Sequence, residues 1–222
     1  MSFSLVHHVM QHKGFTKNKD ICTVELKELN SWLKSAANSE CLETLPSILI
    51  SSEDCLTNTD RKIRLLLACC LTQVLRIFDQ NQPFSSVENL KVALIFILSQ
   101  LAQGLQSIDT EEQELSVQLL QYLINIKAFR STRLIKNGHE ILSSMLSVMM
   151  PIAEQASANQ RNLILQLIKD VLDDPVLMME PKVLMAIAES IVSAGPHSNL
   201  AAVLTLRGAE KSSGKAMTEV SE

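Results

Sequence analysis

The sequence contains few of the residues that interrupt helices. Only six of its 222 residues are glycine, six are proline, and aromatic residues make up 4%. It also lacks sustained runs of alternating apolar and polar β-branched residues bounded by turns, which argues against a sheet. Leucine, isoleucine, valine and methionine instead recur at helical spacing over long stretches. Composition therefore predicts an all-helical protein.

Charge, hydropathy and cysteine spacing exclude several functional classes. The net charge of -4 provides no global basic surface for nucleic acid, although a local basic patch is compatible with it. The longest apolar run, residues 92–98, is much shorter than the roughly 20 residues that cross a bilayer, and the first residues do not form a secretory signal. The five cysteines follow no metal-binding spacing. We expect a soluble intracellular protein with buried free thiols and no metal, cofactor or membrane partner.

Catalytic motifs are equally scarce. The most suggestive groups are the adjacent pairs Asp173–Asp174 and His139–Glu140. Neither pair is accompanied by a nucleophile, a set of metal ligands or a glycine-rich phosphate loop. Adjacent helical residues also point in different directions and do not face a common substrate. We therefore expect no enzymatic activity and no small-molecule substrate.

One stretch, Asp60 to Phe84, organises the rest of the chain. Its sequence, DRKIRLLLACCLTQVLRIFDQNQPF, has one continuous apolar stripe at helical spacing. A second apolar set occupies other faces: Leu65, Cys69 and Ile77. A helix that is apolar on several sides must be covered by several neighbours, so we predict an inner helix of a stack. Asp60 is the expected N-cap, and Pro83 cannot continue the helix.

Further amphipathic segments predict helices on both sides of this stretch. They lie at Cys22–Ala36, Leu42–Ile50, Ser86–Gly104, Asp109–Ile126, Ile141–Met149, Ser157–Val171 and Pro181–Val192. Asp109 and Glu112 are expected to form an aspartate variant of the capping box. Ser51–Thr59 is interpreted as a linker, 127–137 as an irregular region with one short helix, and Pro151 as the end of a helix.

The predicted helix starts recur at a regular interval. Inner helices are expected near Arg61, Thr110 and Gln160, about 50 residues apart. Their partners are expected near Val87, Gly138 and Pro181. Helix pairs with this period predict an all-α, HEAT-like helical-hairpin solenoid (an α-α superhelix) over residues 21–206. Residues 1–20 are expected to be flexible and 207–222 disordered, and a globular bundle is the alternative fold.

Three cations, Arg61, Lys62 and Arg64, occupy the first turn of the central helix. There they oppose the positive end of the helix dipole. One hypothesis is a basic patch that binds an acidic partner or a polyphosphate. The other is a solvated face that pairs with nearby acidic residues. The first hypothesis predicts that changing Arg61 and Lys62 to glutamate weakens partner capture without unfolding the chain.

The segment Arg64–Phe84 resembles the hallmark segment of the cohesin-associated sister-chromatid cohesion proteins named for precocious dissociation of sisters (Pds-five). In that family an ACCL helix runs into a hydrophobic and basic end, then into a short turn closed by proline and an aromatic residue. The matching residues here are Ala68–Leu71, Leu75–Phe78, Pro83 and Phe84. The alternation of helices over about Leu42–Val192 is also similar to the family's N-terminal HEAT repeats.

The resemblance implies a non-enzymatic nuclear scaffold that regulates sister chromatid cohesion. Such proteins bind the kleisin subunit of cohesin, and Wapl-like release factors and their antagonists compete for an N-terminal site. The turn after the ACCL helix belongs to that site, which implies partner binding by Asp79, Gln80, Asn81, Gln82, Pro83 and Phe84. The family usually has alanine, proline, aspartate, alanine, proline and tyrosine there, so only the last proline and the aromatic character are kept. Association with chromatin is expected to be indirect.

A different class of function is the alternative. A helical solenoid exposes a long surface that holds extended partner segments, whatever their origin. The chain could therefore be a HEAT- or armadillo-type adaptor, or a regulatory subunit of an unrelated enzyme or transport complex. Co-purification of a phosphatase, kinase or transport factor would distinguish this alternative from a cohesin regulator.

Overall fold

The structure, a computed structural model, describes residues 15–16, 18–36, 42–78 and 83–174, together with positions 181, 185 and 188. The regular elements within these residues are all helical, as predicted. The chain divides into two compact units, Met1–Leu142 and Ser143–Glu222. The predicted domain limits at residues 21 and 206 remain predictions, because they rest partly on residues outside the described ranges.

The first unit contains six α-helices, a 3-10 helix and the start of a further α-helix among its described residues. They are α1 (Lys19–Ser35), α2 (Leu45–Ser51), α3 (Glu53–Leu56), α4 (Arg61–Phe78), α5 (Val87–Leu105), α6 (Thr110–Asn125), the 3-10 helix (Ala128–Leu134) and α7 (Gly138–Gln155). The second unit holds the remainder of α7, followed by α8 (Ala158–Leu172). The predicted starts at Arg61, Val87, Thr110 and Gly138 are confirmed, and α8 begins two residues before the predicted Gln160. The helix predicted from Pro181 lies almost entirely outside the described residues.

Helix α4 is the inner helix of the first unit. It packs against α1, α5 and α6, and also contacts the short helices α2 and α3. Ile63 and every residue from Leu65 to Leu75 are buried. Thr72 is completely buried and its hydroxyl donates to the carbonyl of Ala68 at 2.9 Å, so this polar group is satisfied within the helix. The prediction that α4 is covered on several sides is confirmed.

Side-chain caps explain where several helices begin. The Asp60 carboxylate accepts a hydrogen bond from the Lys62 amide at 2.8 Å, and the Ser86 hydroxyl accepts one from the Asn89 amide at 3.1 Å. The Asp60 cap was predicted, and Ser86 was predicted as the start of the segment that forms α5. Ser157 and Gln160 form a reciprocal capping box at the start of α8.

The capping box predicted at Asp109 is only half present. Asp109 accepts a hydrogen bond from the Glu112 amide at 2.9 Å, but the Glu112 carboxylate does not return one. It accepts from the Ser107 hydroxyl at 2.6 Å and from Arg61 at 3.2 Å. The Asp109 amide donates to Ser107 at 3.1 Å instead. Glu112 is thus directed towards α4, which makes the predicted reciprocal bond wrong.

Two helix boundaries also differ from the predictions. The stretch interpreted as a linker contains α3, and α7 continues through Pro151 to Gln155. An internal proline costs a helix roughly 3 kcal/mol or more. Ile152 and Ala153, directly after Pro151, are 5% and 0% exposed, so burial of the continuing apolar stripe offsets this cost. Helix α7 ends at Gln155, and the capping box at Ser157 marks the start of α8.

Four of the five cysteines lie in the described residues, and all four are buried free thiols, as predicted. The Sγ atoms of Cys22 in α1 and Cys55 in α3 are 3.7 Å apart. Burial raises the pKa of Cys69 to about 12 and also raises the pKa of Cys70. Cys69 and Cys70 are therefore neutral packing groups of the core.

Asp60 is expected to make stability depend on pH. Burial raises the pKa of Asp60, but the ammonium of Lys19, 2.7 Å away, and the amides of Lys62 and Ile63 outweigh burial and hold the pKa below its usual value. A lowered folded-state pKa contributes stability above the unfolded pKa of about 3.9, and the contribution is lost as pH falls through the folded pKa. Asp60→Ala should cost about 1 kcal/mol at neutral pH.

Asp60→Asn is the matched control, because asparagine caps a helix but does not titrate. Urea unfolding at neutral pH and in acid should show most of the stability retained in Asp60→Asn, with a weaker loss on acidification than in the wild type. An unchanged acid dependence in Asp60→Asn would contradict this assignment.

Candidate functional site

The predicted partner-binding turn follows the C-terminal end of α4. Its first four residues, Asp79, Gln80, Asn81 and Gln82, lie outside the described residues. Pro83 is partly exposed, whereas Phe84 is only 3% exposed. The structure therefore places the aromatic ring in the core, where it anchors the end of the turn to the helices rather than offering its face to a partner.

Arg76, in the last turn of α4, joins this end of the helix to α1. Its Nη2 donates to the carbonyls of Leu33 at 2.6 Å and Ala36 at 3.0 Å, and its Nε donates to the Gln73 side chain at 2.8 Å. The last carbonyls of a helix have no partner within the helix, and a cation placed there also complements the helix dipole. Arg76 thus caps α1 and holds its C-terminal end against the base of the predicted turn.

The predicted basic patch lies at the opposite end of α4. Arg61 pairs with Glu112 at 3.2 Å, and Lys62 pairs with Glu111. Glu111 also pairs with Lys27 of α1 at 3.0 Å. Hydrogen bonds and charge from Lys62 and Lys27 lower the pKa of Glu111. Acids from the first turn of α6 thus offset the cations that oppose the dipole of α4.

Arg64, the third residue of the predicted patch, points towards α5. Its Nε donates to the Gln100 side chain at 2.9 Å and its Nη2 to the Gln103 side chain at 3.2 Å, while Nη1 contacts the Asn58 carbonyl. The side chains of Arg61 and Lys62 remain 39% and 27% exposed. An acidic ligand would therefore meet two accessible cations, in competition with Glu111 and Glu112.

The two predicted sites are well separated. Helix α4 has 18 residues, which corresponds to a length of about 27 Å at 1.5 Å per residue. A short peptide bound at one end does not reach the other, whereas about eight residues of extended chain would span the distance. The contacts that Arg76, Glu111 and Glu112 make with other helices were not predicted from the sequence. The sequence feature that could have indicated these contacts is charge at helix ends: a cation in the last turn of α4 and acids in the first turn of α6.

The part of the chain that the structure describes contains neither a metal-ligand cluster nor a membrane span. Within it, no three histidine, cysteine, aspartate or glutamate side chains come together as metal ligands. None of the helices in these residues combines the length and the hydropathy that a membrane span requires.

A buried inner helix with neighbours on several sides, recurring starts and short connections define a helical-repeat protein. Residues 23–217 match the family described as "Sister chromatid cohesion protein PDS5 protein", and the chain belongs to this family. The resemblance seen in the sequence is thereby confirmed, and an adaptor unrelated to it is not supported.

Named relatives match only part of the chain. PDS5 homolog A-A of Xenopus laevis is 29% identical over 126 residues, which is 56% of this chain and 9% of the relative. PDS5 homolog A of Homo sapiens is 28% identical over 117 residues, 52% of this chain and 9% of the relative. PDS5 homolog B of Gallus gallus is 26% identical over 103 residues, which is 46% of this chain and 7% of the relative. The matched part is less than a tenth of each relative's length.

A solved structure has the same fold. It is described as "Structure of the Pds5-Scc1 complex and implications for cohesin function", and it matches with a TM-score of 0.67 at 20% identity. The match covers 82% of this chain and 28% of the other. This likeness confirms the predicted helical-repeat fold class.

Proposed function

We propose that this chain is a helical-repeat scaffold that regulates sister chromatid cohesion by binding protein partners, without catalysing a reaction. The observation that carries the proposal is the family match over residues 23–217. The partner that we propose is the kleisin subunit of cohesin, because the solved protein with this fold is described as a complex with Scc1. Such a role places the chain in the nucleus, associated with chromatin through cohesin.

We propose further that the two ends of α4 make separate contacts. The turn Asp79–Phe84 would receive a short segment of a partner, such as a Wapl-like factor, with Phe84 as its buried anchor and Arg76 as a positioning residue. The patch formed by Arg61 and Lys62 would receive an acidic segment. Because about 27 Å separates the ends, one extended segment of eight or more residues could occupy both.

The proposal is tested by affinity capture of the full chain from dividing cells, followed by binding of the purified chain to purified kleisin. We expect cohesin subunits to be recovered and the kleisin to bind directly. Capture that recovers no cohesin subunit, combined with no direct binding, would overturn the proposal.

A charge-reversal series separates a binding role of the patch from a structural one. In Arg61→Glu/Lys62→Glu we expect at least a fivefold loss of kleisin or Wapl-like binding and a loss of stability of about 1 kcal/mol per ion pair, the upper end for surface pairs, because Glu112 is only 17% exposed. Adding Glu111→Lys, Glu112→Lys and Lys27→Glu restores opposite charges in all three ion pairs but leaves the α4 patch inverted.

The five-substitution variant distinguishes the two explanations. We expect binding to remain weak in it, although thermal unfolding returns towards that of the wild type. Recovery of binding together with stability would instead show that the ion pairs only support the fold.

A further inference from the structure

Two buried thiols face each other between α1 and α3. The Sγ atoms of Cys22 and Cys55 are 3.7 Å apart, although the residues are separated by 33 positions in the sequence. Both side chains are buried. The two sulfurs are thus in contact, and a movement of roughly 1.7 Å would bring them to the distance of a disulfide bond.

Helix α3 is attached to its unit mainly through one of these thiols. It has four residues, and Cys55 is the buried one. The amides of Cys55 and Leu56 both donate to the Ser52 carbonyl at 2.9 Å, and the Thr57 amide donates to the Glu53 carbonyl at 3.0 Å. Segments with few buried contacts open locally at a small part of the free energy of global unfolding. Detachment of α3 therefore gives solvent access to the thiol pair.

The two sulfurs differ in their tendency to ionise. A hydrogen bond from the Cys55 thiol lowers the pKa of Cys22. The same hydrogen bond, together with burial, raises the pKa of Cys55. Because the thiolate is the nucleophile in thiol oxidation, Cys22 is the sulfur that attacks an oxidant first.

We propose that Cys22 and Cys55 form an oxidisable dithiol site, whose disulfide ties α1 to α3. With hydrogen peroxide as the oxidant, the Cys22 sulfur attacks one oxygen: an S–O bond forms, the O–O bond breaks, and the released hydroxide leaves as water with the Cys22 proton. The Cys55 sulfur then attacks the Cys22 sulfur: an S–S bond forms, the S–O bond breaks, and the hydroxyl group leaves as water with the Cys55 proton. The two thiols lose two electrons, which the peroxide accepts.

The disulfide would act on the start of α4. The connection from α3 to α4 ends at Asp60, whose amide donates to the Asn58 side chain at 2.9 Å. Asp60 also pairs with Lys19 of α1 at 2.7 Å, and Lys19 lies about one turn before Cys22. The disulfide thus adds a covalent bond beside an ion pair that joins the same two segments. It would hold the beginning of α4 against α1 for as long as the chain is oxidised.

Peptide mapping of the full chain tests the site directly. The chain is treated with an excess of hydrogen peroxide, unfolded in a thiol-blocking reagent, and digested with trypsin and a glutamate-specific protease. This digestion places Cys22, Cys41 and Cys55 on separate peptides. We expect peptides 20–25 and 54–61 to be recovered as one species, lighter than their sum by two hydrogen atoms, which separates on reduction.

The thiols of α4 serve as internal controls. Cys69 and Cys70 share a third peptide and are buried in the centre of α4. We expect both to remain reduced, because detachment of α3 does not open the inside of this helix.

Hydrogen exchange gives a second readout. A cross-link across 33 positions removes conformations from the open state. The amides of Cys55, Leu56 and Thr57 should therefore exchange at least about tenfold more slowly in the oxidised chain, and return to the original rate after reduction.

Two alanine variants provide a matched comparison. Cys55 and Cys69 are each 1% exposed, so each substitution removes one equally buried thiol. Cys55→Ala should abolish the cross-link and leave Cys22 as a sulfenic acid, which dimedone traps. Cys69→Ala should form the cross-link to the same extent as the wild type.

Three results would overturn the proposal. One is recovery of Cys22 and Cys55 as free thiols under conditions that fully oxidise glutathione. Another is preferential cross-linking of either sulfur to Cys41, Cys69 or Cys70, which would make a different pair the oxidisable site. The last is unchanged exchange of the α3 amides in the cross-linked chain, which would show that the bond does not hold α3.

Discussion

Gly138→Ala is expected to lower the free energy of unfolding by about 3 kcal/mol, the upper end of the usual cost of overpacking. A Cβ atom at this position would lie 2.0 Å from the carbonyl oxygen of Thr132 and 2.8 Å from its carbonyl carbon. This oxygen is part of the backbone and also accepts the hydrogen bond from Ile135, so no side-chain rotation relieves the clash. The junction between the 3-10 helix and α7 must move. Urea unfolding followed by circular dichroism measures the loss.

The neighbouring residue provides the matched control. Asn137 has a φ of 62°, a left-handed conformation that glycine adopts without strain. Asn137→Gly should therefore change stability by less than about 1 kcal/mol. If Gly138→Ala were as stable as the wild type, the close approach of Gly138 to Thr132 would be wrong.

Arg76→Met is expected to cost about 3 kcal/mol and to reduce partner binding at the predicted turn as well. Methionine keeps much of the apolar stem but removes the guanidinium, so the Ala36 carbonyl loses the Arg76 donor and the Leu33 carbonyl keeps only the Ala36 amide, 3.2 Å away. Hydrogen bonds from charged groups contribute about 1.5–3 kcal/mol each, less where water can replace them. We expect a loss of stability in urea and a weaker capture of kleisin or Wapl-like segments.

Arg161→Met separates these two effects. Arg161 of α8 caps the end of α7 in the same way, with Nε 3.0 Å from the Ala153 carbonyl and Nη2 3.2 Å and 3.3 Å from those of Glu154 and Ala156. It is far in sequence from the predicted turn. Arg161→Met should lose similar stability but retain partner capture at a temperature where both variants are folded. Equal losses of capture would show that Arg76 acts only through stability.

Local sequence was sufficient to predict most helix starts. Asp60, Ser86, Asp109 and Ser157 each cap the helix that follows, and this requires only residues adjacent in the chain. The burial of α4 on several faces was equally visible, because its apolar residues exceed one stripe. N-caps and apolar faces are properties of a single helix and do not depend on which helices pack against it.

Apart from the two helix boundaries, the differences from prediction concern contacts between elements. Glu112 fits a capping box by spacing, yet Arg61 of α4 draws its carboxylate away. In α6 the polar residue Ser116 is buried, because its side chain faces Gly104 of α5. A Cβ at Gly104 would lie 1.9 Å from the Ser116 hydroxyl oxygen. No local pattern contains such information about helix packing.

In the candidate sites too, the residues were predictable from the sequence but their contacts with other helices were not. The cations Arg61, Lys62 and Arg64 were evident from sequence, but their partners on α5 and α6 were not.

The buried thiols have a practical consequence. Cys22 and Cys55 are 3% and 1% exposed, and they join the long helix α1 to the four-residue helix α3. An alkylating reagent can modify either sulfur only after this contact has separated. The rate at which Cys22 and Cys55 are alkylated therefore measures how often α3 detaches from α1. No label has to be introduced, because both thiols are native residues.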